Sequence, residues 1–246
     1  MLANYDARRP VSGVEKPHDL TTAQAYALQA EIARLREERG ERIIGYKIGC
    51  TSRAIQQQLG VDEPIYGRIF DTGRVASGAR LSHANYANLA VEGELAVQMA
   101  SDLTGASLPD DECRDAIGAV FPVIELHDYV LCSPQTCGQE LIATNGMHAG
   151  FVVPAQPSGR PTLHVTGVTL HINHERRAHT DAPWTMGDPM TSLRWLAARL
   201  GERGLRLSRG QTILTGSPLP LCAVTPGTLI AVEAPPLERI YVDIDP

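Results

Sequence analysis

The amino-acid sequence predicts a strand-rich α+β fold, with a rolled or barrel-like sheet and a few flanking helices. Three observations support this prediction. About eight short segments are rich in β-branched residues and are separated by clusters of Pro and Gly. Clear helical periodicity is confined to a few segments. The strands are not separated by regular helices, which argues against a doubly wound parallel sheet.

Two segments have the start and stop signals of helices. The first is LTTAQAYALQAEIARLREERGE, where Thr21 or Thr22 caps the start and Gly40 marks the end. The second is DPMTSLRWLAARLGERG, which begins at the cap Asp188 and ends near Gly204. A shorter segment, SRAIQQQLGV, is typical of a third helix.

The predicted strands follow in chain order as RIIGYKIGCTS, AVEGELAVQMA, AVFPVIELHDYVL, AGFVV, LHVTGVTLHIN, QTILTGS, TLIAVEA and RIYVDI. No internal repeat divides the chain. We therefore expect one domain over residues 1–246, with a helical segment at 1–40 packed on it.

Composition excludes several classes of protein. Apolar residues make up 43% of the chain and charged residues 20%, which is typical of a soluble globular protein. The net charge of -6 and the lack of a basic stripe argue against nucleic-acid binding. No apolar run reaches the roughly 18 to 20 residues of a membrane helix. The N-terminal segment lacks the apolar region of a signal peptide, and the five cysteines are scattered, so we expect reduced thiols and a cytoplasmic location.

An acidic pair interrupts an apolar segment, AVEGELAV. If this segment is a strand, Glu92 and Glu94 point to the same face and Gly93 points to the other. Two carboxylates on one buried face repel each other, and a divalent cation relieves that repulsion. Oxygen ligands suit Mg²⁺ or Mn²⁺. The alternative is an exposed strand face on which both glutamates are solvated.

Further charged residues lie in other apolar strands. The segment PVIELHDYV contains Glu125 and Asp128, and acids in buried strands are uncommon. Lys47, in GYKIGCTS, lies between Tyr46 and Ile48 and would pair with an acid or polarise a substrate oxygen if it is buried. The alternative for Lys47 is a solvated edge position.

The chain resembles the fumarylacetoacetate hydrolase superfamily, and more narrowly its branch of 2-keto-4-pentenoate hydratases and 4-oxalocrotonate decarboxylases. The residues that carry the resemblance are GYKIGCTSRAIQQQLGVDEPIYGRIFD (45–71), VEGELAV (91–97), PVIELHDY (122–129), ATNGMHAGFVV (143–153) and GDPMTSLRWLAARLGERGLRLSRGQTILTGS (187–217). GxGxxG, P-loop, GxSxG and HExxH motifs are absent from the sequence.

The resemblance implies a mixed-sheet roll with a divalent metal, Mg²⁺ or Mn²⁺. It implies metal ligands at Glu92, Glu94 and Glu125. It also implies that Lys47 faces the metal, with Asp71 nearby, as catalytic residues. A homo-oligomer is expected by the same resemblance.

The sequence departs from the family pattern in two places. Asp128 is followed by Tyr129 where many members have Ser-Arg, and the stretch ATNGMH replaces Ala-Asp-Asn-Ala-Ser-Ser. Within that stretch Asn145 keeps its type and His148 replaces a serine. We expect His148 to be catalytic or to bind substrate, with Asn145, Ser217 and Lys47 as further substrate-binding residues. The alternative for His148 is a histidine bonded within a loop.

Other histidines and the cysteine near Lys47 are expected to be structural. His127 and the run HINHERRAH, which holds His171, His174 and His179, are interpreted as a surface stretch, and the alternative is a transition-metal site. Cys50 lacks an evident base, so we expect it to pack rather than to act as a nucleophile.

The expected substrate is a 2-oxo acid or its dienol, chelated by the metal through its carboxylate and C2 oxygen. The first hypothesis is a hydratase that adds water to a 2-hydroxy-2,4-dienoate from aromatic meta-cleavage. The second is a decarboxylase of a 4-oxalocrotonate-type diacid, or an acylpyruvate hydrolase. A diacid needs a cationic anchor, for which Arg53, Arg68 and Arg176 are the candidates. The third is a non-catalytic scaffold partner of such an enzyme.

Overall fold

Two β-sheets, one of eight strands and one of five, carry the fold of the computed structural model. The structure describes residues 2–8, 10, 19–130, 136–155, 164–181 and 188–246. The α-helices of this part of the chain are α1 (Leu2–Ala7), α2 (Thr22–Glu38), α3 (Arg53–Leu59), α4 (Asp110–Asp115), α5 (Gly138–Ala143) and α6 (Pro189–Gly201). The strands are β1 (Ile43–Gly49), β2 (Ile65–Phe70), β3 (Arg74–Ala76), β4 (Arg80–Ser82), β5 (Leu89–Met99), β6 (Ile117–Asp128), β7 (His148–Val153), β8 (Gly167–Ile172), β9 (Glu175–Asp181), β10 (Thr212–Leu214), β11 (Cys222–Ala223), β12 (Thr228–Glu233) and β13 (Ile240–Asp245).

The large sheet is mixed and has the strand order β2-β1-β10-β5-β6-β7-β3, with β11 paired to β5. Its pairs are antiparallel except for β1–β10 and β3–β7, which are parallel. The small sheet has the order β4-β13-β12-β8-β9. It lies against the large sheet, because β12 and β13 both contact β6.

The large sheet is rolled. Strands β2 and β7 are far apart in the strand order, yet they contact each other. One apolar cluster joins Ile69 of β2, Phe151 of β7 and Phe121 of β6. We call the face that carries this cluster the inner face; the other face packs on the small sheet. The predicted fold class, a strand-rich α+β protein with a mixed rolled sheet and few helices, is confirmed.

The helices begin where the sequence signals place them. Thr21 caps α2 and forms a capping box with Gln24, and Asp188 caps α6 by accepting a hydrogen bond from the Thr191 N–H. Helix α2 packs on the sheet through Gln29, whose buried amide donates to two backbone carbonyls, one in β2 and one in α5. Of the predicted 1–40 segment, residues 1, 9 and 11–18 lie outside the described residues.

Five strands were not predicted from sequence: β2, β9 and the short strands β3, β4 and β11. Strand β2 is entirely buried, although Gly67 and Arg68 interrupt its apolar pattern. The buried Arg68 guanidinium donates to Gln29 Oε1 at 2.6 Å. Strand β9 is the exposed edge of the small sheet and contains much of the histidine-rich run. None of the helices in the described residues is both long enough and apolar enough to cross a membrane.

Candidate active site

The acidic pair lies on the inner face at the middle of the large sheet. In the antiparallel pair β5–β6, Glu92 lies directly opposite Glu125, and Glu94 is two residues further along β5 on the same face. Gly93 faces the small sheet, where an added Cβ would lie 2.8 Å from a methyl carbon of Val232. Gly93 therefore permits close packing of the two sheets, while its neighbours turn their carboxylates inward.

Lys47 reaches the same group of carboxylates from β1. Its residue is 4% exposed, and its Nζ lies 3.2 Å from Oε1 of Glu125. Burial by itself lowers the pKa of Lys47, but the carboxylates of Glu125, Glu92 and Glu94 outweigh burial and raise it to about 12. Lys47 is therefore a fixed cation near neutral pH, and the alternative of a solvated edge lysine is wrong.

The pKa values of Glu94 and Glu125 are shifted in opposite directions. Burial, together with the charges of Glu125 and Glu92, raises the pKa of Glu94 well above its usual range. Glu94 Oε2 accepts a hydrogen bond of 2.5 Å from the Gly216 N–H. Burial also disfavours the charge of Glu125, but Lys47 and the adjacent histidines outweigh it and hold that pKa well below the usual range. The cluster thus contains one neutral and one charged buried carboxyl group.

Two buried histidines adjoin Glu125. His127 lies on β6 two residues after Glu125, and its Nε2 is 3.5 Å from a carboxylate oxygen of Glu92 and 3.5 Å from one of Glu125. His148, on β7, is hydrogen-bonded through Nδ1 to Oε1 of Glu125 at 2.7 Å. A bulge opposite Leu126 and His127 adds one residue to β7 and brings His148 opposite His127.

The two imidazoles have different pKa values because their carboxylate neighbours differ. Burial lowers the pKa of both. For His127, Glu125 and Glu92 outweigh burial and raise the pKa to about 9. For His148, burial dominates and the pKa is lowered, although Glu125 opposes it. The prediction that His127 is a surface residue is wrong, since it is 5% exposed. Its spacing of two from Glu125 on a strand was the sequence signal for a shared face.

The turn before β7 covers Lys47. Asn145, Gly146 and Met147 have positive φ angles of 60°, 65° and 56°, a conformation that non-glycine residues rarely adopt. The Asn145 side chain accepts from Arg68 N at 2.7 Å and donates to Arg68 O at 2.8 Å, which ties the turn to β2. Gly146 then lies so close to Lys47 that an added Cβ would meet its Cε at 2.6 Å.

A cavity of about 570 Å³ opens over the cluster. Lys47, Glu92 and His127 line one end of it. The apolar side chains that line the cavity are Ile55, Leu59, Ile65, Leu141, Leu219 and Leu221. Tyr129 also lines it, and burial with the nearby Glu92 charge raises the pKa of its phenol to about 12, so the group is neutral. The cavity thus combines charged, polar and apolar side chains and is large enough for one small acid.

The donor atoms of the cluster fit a metal ion. One oxygen each of Glu92 and Glu125 and one nitrogen of His127 lie within 4.8 Å of one another. Buried atoms without a hydrogen-bond partner among the described residues include Glu94 Oε1, Glu125 Oε2 and His127 Nε2. Buried polar atoms are normally satisfied, so these unsatisfied ones indicate room for a ligand. Glu94 is not one of the three residues of that donor group.

Comparison with known proteins identifies relatives of this chain. No family model matches the chain. The chain is 31% identical over 217 residues to a 4-oxalocrotonate decarboxylase of Pseudomonas putida, a match covering 87% of this chain and 82% of the relative. It is 31% identical over 202 residues to a 2-keto-4-pentenoate hydratase of Burkholderia vietnamiensis, covering 81% and 77%. The chain belongs to this hydratase–decarboxylase family.

The fold agrees with that of a solved member of the hydratase–decarboxylase family. The structure of 4-oxalocrotonate decarboxylase from Pseudomonas putida G7, complexed with magnesium and adipate, aligns with a TM-score of 0.90 and 27% identity over 99% of this chain and 93% of that one. Fumarylpyruvate hydrolase from Pseudomonas aeruginosa, in complex with Mn²⁺ and pyruvate, aligns with a TM-score of 0.61 and 17% identity over 81% and 88%. The latter likeness shows the fold alone.

The structure brings together most of the residues that the family resemblance implied, but not all of them. Asp71 lies outside the cluster, where it accepts hydrogen bonds from the Arg42 backbone and side chain on the protein surface. It belongs to a turn after β2, and the expectation that it lies near Lys47 is corrected. Cys50 lines the cavity, and burial raises the pKa of its thiol to about 11, which agrees with a packing residue.

The predicted substrate-binding residues differ in position. Ser217 lines the cavity, but its hydroxyl is engaged with the carbonyls of Gly93 and Leu219 at 3.0 and 2.9 Å. Asn145 and His148 line a separate cavity of about 220 Å³, which lies beneath α1. Of the predicted substrate-binding residues, Ser217 and Lys47 therefore line the cavity over the carboxylates, and Asn145 and His148 do not.

Proposed function

We propose that this chain is a metal-dependent hydratase, a hydro-lyase that adds water to a 2-hydroxy-2,4-dienoate of the 2-keto-4-pentenoate type. The product is a 4-hydroxy-2-oxo acid, and the reaction belongs to the breakdown of aromatic meta-cleavage products. Membership of the hydratase–decarboxylase family supports the reaction class. The lining of the main cavity supports the choice between the two reactions.

That lining is the observation that carries the proposal. Among the described residues, Lys47 is the only Lys or Arg that lines the 570 Å³ cavity. Arg53 lines a different cavity, Arg68 is buried against Gln29, and Arg176 is exposed on β9. A second carboxylate at the far end of a substrate would therefore have no further Lys or Arg of the described lining to pair with, which is costly. The cavity favours a mono-acid with an apolar tail.

We propose that the cation is Mg²⁺ or Mn²⁺ and that Glu92, Glu94 and Glu125 are among its ligands. Solved neighbours were complexed with magnesium and with Mn²⁺. The unsatisfied oxygens of Glu94 and Glu125 support the fit, because a carboxylate buried without partners is otherwise unfavourable. A bound divalent cation would supply Lewis-acid polarisation of the substrate carboxylate and C2 oxygen.

The chain's own residues would do three things. Lys47 Nζ, a fixed cation, would stabilise negative charge on the C2 oxygen while the dienol takes a proton at C5. The apolar side chains would hold the tail of the substrate. They would also exclude water from the rest of the substrate, so that water reaches only the carbon that it attacks, C4. The neutral Tyr129 phenol, at the cavity wall, is the proposed group that orients the water.

The second candidate is a decarboxylase of a 4-oxalocrotonate-type diacid or an acylpyruvate hydrolase, supported by the relatives named decarboxylases. A non-catalytic scaffold is a third candidate. A scaffold has no use for a buried group of acids with unsatisfied oxygens, and this counts against it.

The test uses chelator-treated protein with 2-hydroxypenta-2,4-dienoate and with 4-oxalocrotonate, each with and without added Mg²⁺. Dienol absorbance and product mass are followed. We expect metal-dependent gain of one water from the mono-acid, loss of this activity in Glu92→Gln, and retention in Glu175→Gln, which removes an exposed carboxylate on β9. Loss of CO₂ from the diacid without hydration of the mono-acid would establish the decarboxylase instead. Absence of any metal-dependent turnover would favour the scaffold.

We further propose that the enzyme acts in the cytoplasm as a homo-oligomer. The cysteines that the structure describes are free thiols, which suits a reducing compartment. Tyr241 on β13 is 44% exposed and offers an apolar contact surface. Light scattering on the purified chain would test the assembly, and a monomeric mass at micromolar concentration would contradict it.

A further inference from the structure

We propose that His127 is a ligand of the cation, so that this chain binds its metal through an imidazole nitrogen as well as through carboxylates. The proposal rests on the cation site proposed above. It adds that the mixed donor set makes the site prefer a first-row transition ion, Mn²⁺ among them, to Mg²⁺. Imidazole nitrogen is a poor ligand for Mg²⁺, which favours oxygen, and a better one for transition metals.

The position of His127 is the first argument. It lies on β6 two residues after Glu125, on the inner face, and is 5% exposed. Its Nε2 is 3.5 Å from an oxygen of Glu92 and 3.5 Å from an oxygen of Glu125. Two donors that share a cation at about 2.1 Å each are roughly 3.0 to 3.6 Å apart for angles of about 90 to 120°. Both distances fall within that range.

The unsatisfied atoms are the second argument. His127 Nε2 has no hydrogen-bond partner among the described residues, and neither has the Glu125 oxygen that it faces. Such a buried pair is unusual, because each atom would normally be bonded to the other or to a third group. Their contact at 3.5 Å is too long for a good hydrogen bond but leaves room for an ion between them.

His148 serves as an internal contrast. It is also buried and also touches Glu125, but through Nδ1 at a hydrogen-bond distance of 2.7 Å. Its Nε2, like that of His127, has no hydrogen-bond partner among the described residues, but only His127 joins Glu92 and Glu125 in a group of donors within 4.8 Å of one another. His148 would therefore orient Glu125 from behind, as partners of metal ligands commonly do, and only His127 would reach the ion.

The test is pulsed electron paramagnetic resonance of the chelator-treated protein loaded with Mn²⁺ alone. We expect nitrogen modulation of the echo from a directly bound imidazole in the wild-type protein. The modulation should disappear in His127→Gln, whose amide is neutral and similar in reach. It should persist in His148→Asn, whose amide replaces Nδ1. Absence of nitrogen modulation in the wild-type spectrum is enough to refute the inference, and the two variants assign any modulation to His127 or to His148.

A second measurement compares the dissociation constants of Mn²⁺ and Mg²⁺ by calorimetry. We expect His127→Gln to lower the preference for Mn²⁺ by at least the roughly tenfold that loss of an outer-shell partner costs. Bound Mn²⁺ without nitrogen modulation in the wild type would overturn the inference and leave the proposed hydratase intact. Modulation that survives in His127→Gln and is lost in His148→Asn would also overturn it. If wild-type protein binds no Mn²⁺, the metal dependence of the proposed function fails together with this inference.

Discussion

The substitution Gly146→Ala should lower the turnover of the enzyme by more than its effect on stability explains. Gly146 has φ of 65° and covers the Lys47 side chain, so Gly146→Ala places a Cβ 2.6 Å from Lys47 Cε and 2.9 Å from Nζ. Both atoms belong to the end of a flexible side chain, which is able to move. We therefore expect the backbone to hold and the ammonium to be displaced.

The magnitudes follow from these distances. Non-bonded carbon atoms approach to about 3.5 to 4.0 Å, so Lys47 must retreat by roughly 1 Å. Misplacement of a catalytic group by about 1 Å costs up to about 100-fold in rate, or about 2.7 kcal/mol of transition-state stabilisation. The left-handed backbone costs alanine about 1 to 2 kcal/mol of folding free energy. Turnover should thus fall far more than stability does.

The control is Gly204→Ala. Gly204 has φ of 69°, nearly the same as Gly146, but nothing lies within 4 Å of an added Cβ. Urea unfolding should show a similar loss of about 1 to 2 kcal/mol in both variants, and steady-state hydration of the dienoate should fall only in Gly146→Ala. If both variants keep wild-type turnover, the position of the Lys47 ammonium does not matter for the reaction and the assigned role is wrong.

Three further predictions concern single residues of the same site. Lys47→Met should destabilise metal-free protein by about 3 to 5 kcal/mol, because it leaves the buried Glu125 charge without the Lys47 ammonium. Added Mg²⁺ should recover part of the loss. A loss below about 1 kcal/mol in urea unfolding would contradict this prediction. Ser217→Ala should cost about 1 kcal/mol of stability with little change in KM, because its hydroxyl is bonded to the backbone; a higher KM with unchanged stability would show that it binds substrate. Cys50 should be alkylated slowly at pH 7 and faster as the pH approaches 11, because its thiol pKa is raised to about 11 and the thiolate is the reactive form; rapid labelling at pH 7, located by peptide mass, would refute its burial.

The strands that frame the site could be predicted because their residues obey a simple rule. Strands β1, β5 and β6 are largely apolar, and their charged residues point to one face, except for Asp128 at the end of β6. Strand β2 could not be predicted, because its buried Arg68 is hydrogen-bonded to Gln29 of α2, which is 39 residues distant in sequence. The local sequence does not reveal that contact. Because Gly67 and Arg68 interrupt the apolar pattern, the segment lacked the sequence signal of a buried strand.

The carboxylates of the site could be predicted, whereas the second layer could not. Glu92 and Glu125 are charges in apolar strands, and their convergence follows from strand pairing. Asp71 was expected nearby because of the family resemblance, yet its own turn directs it to Arg42. The position of His148 depends on a one-residue bulge in β7, and no sequence signal marks a bulge at that point.

The metal-free cluster also explains how an acidic pair is tolerated in the core of this fold. Without an ion, two devices reduce the repulsion: burial keeps Glu94 neutral, and Lys47 with His127 balances Glu125. A cation would compete with protons for the same atoms, since the ligand forms of Glu94 and His127 are deprotonated. His127 would therefore have two roles that a carboxylate ligand lacks. It would be a counter-charge to Glu125 when it is protonated, and it would be a ligand of the cation when it has lost its proton.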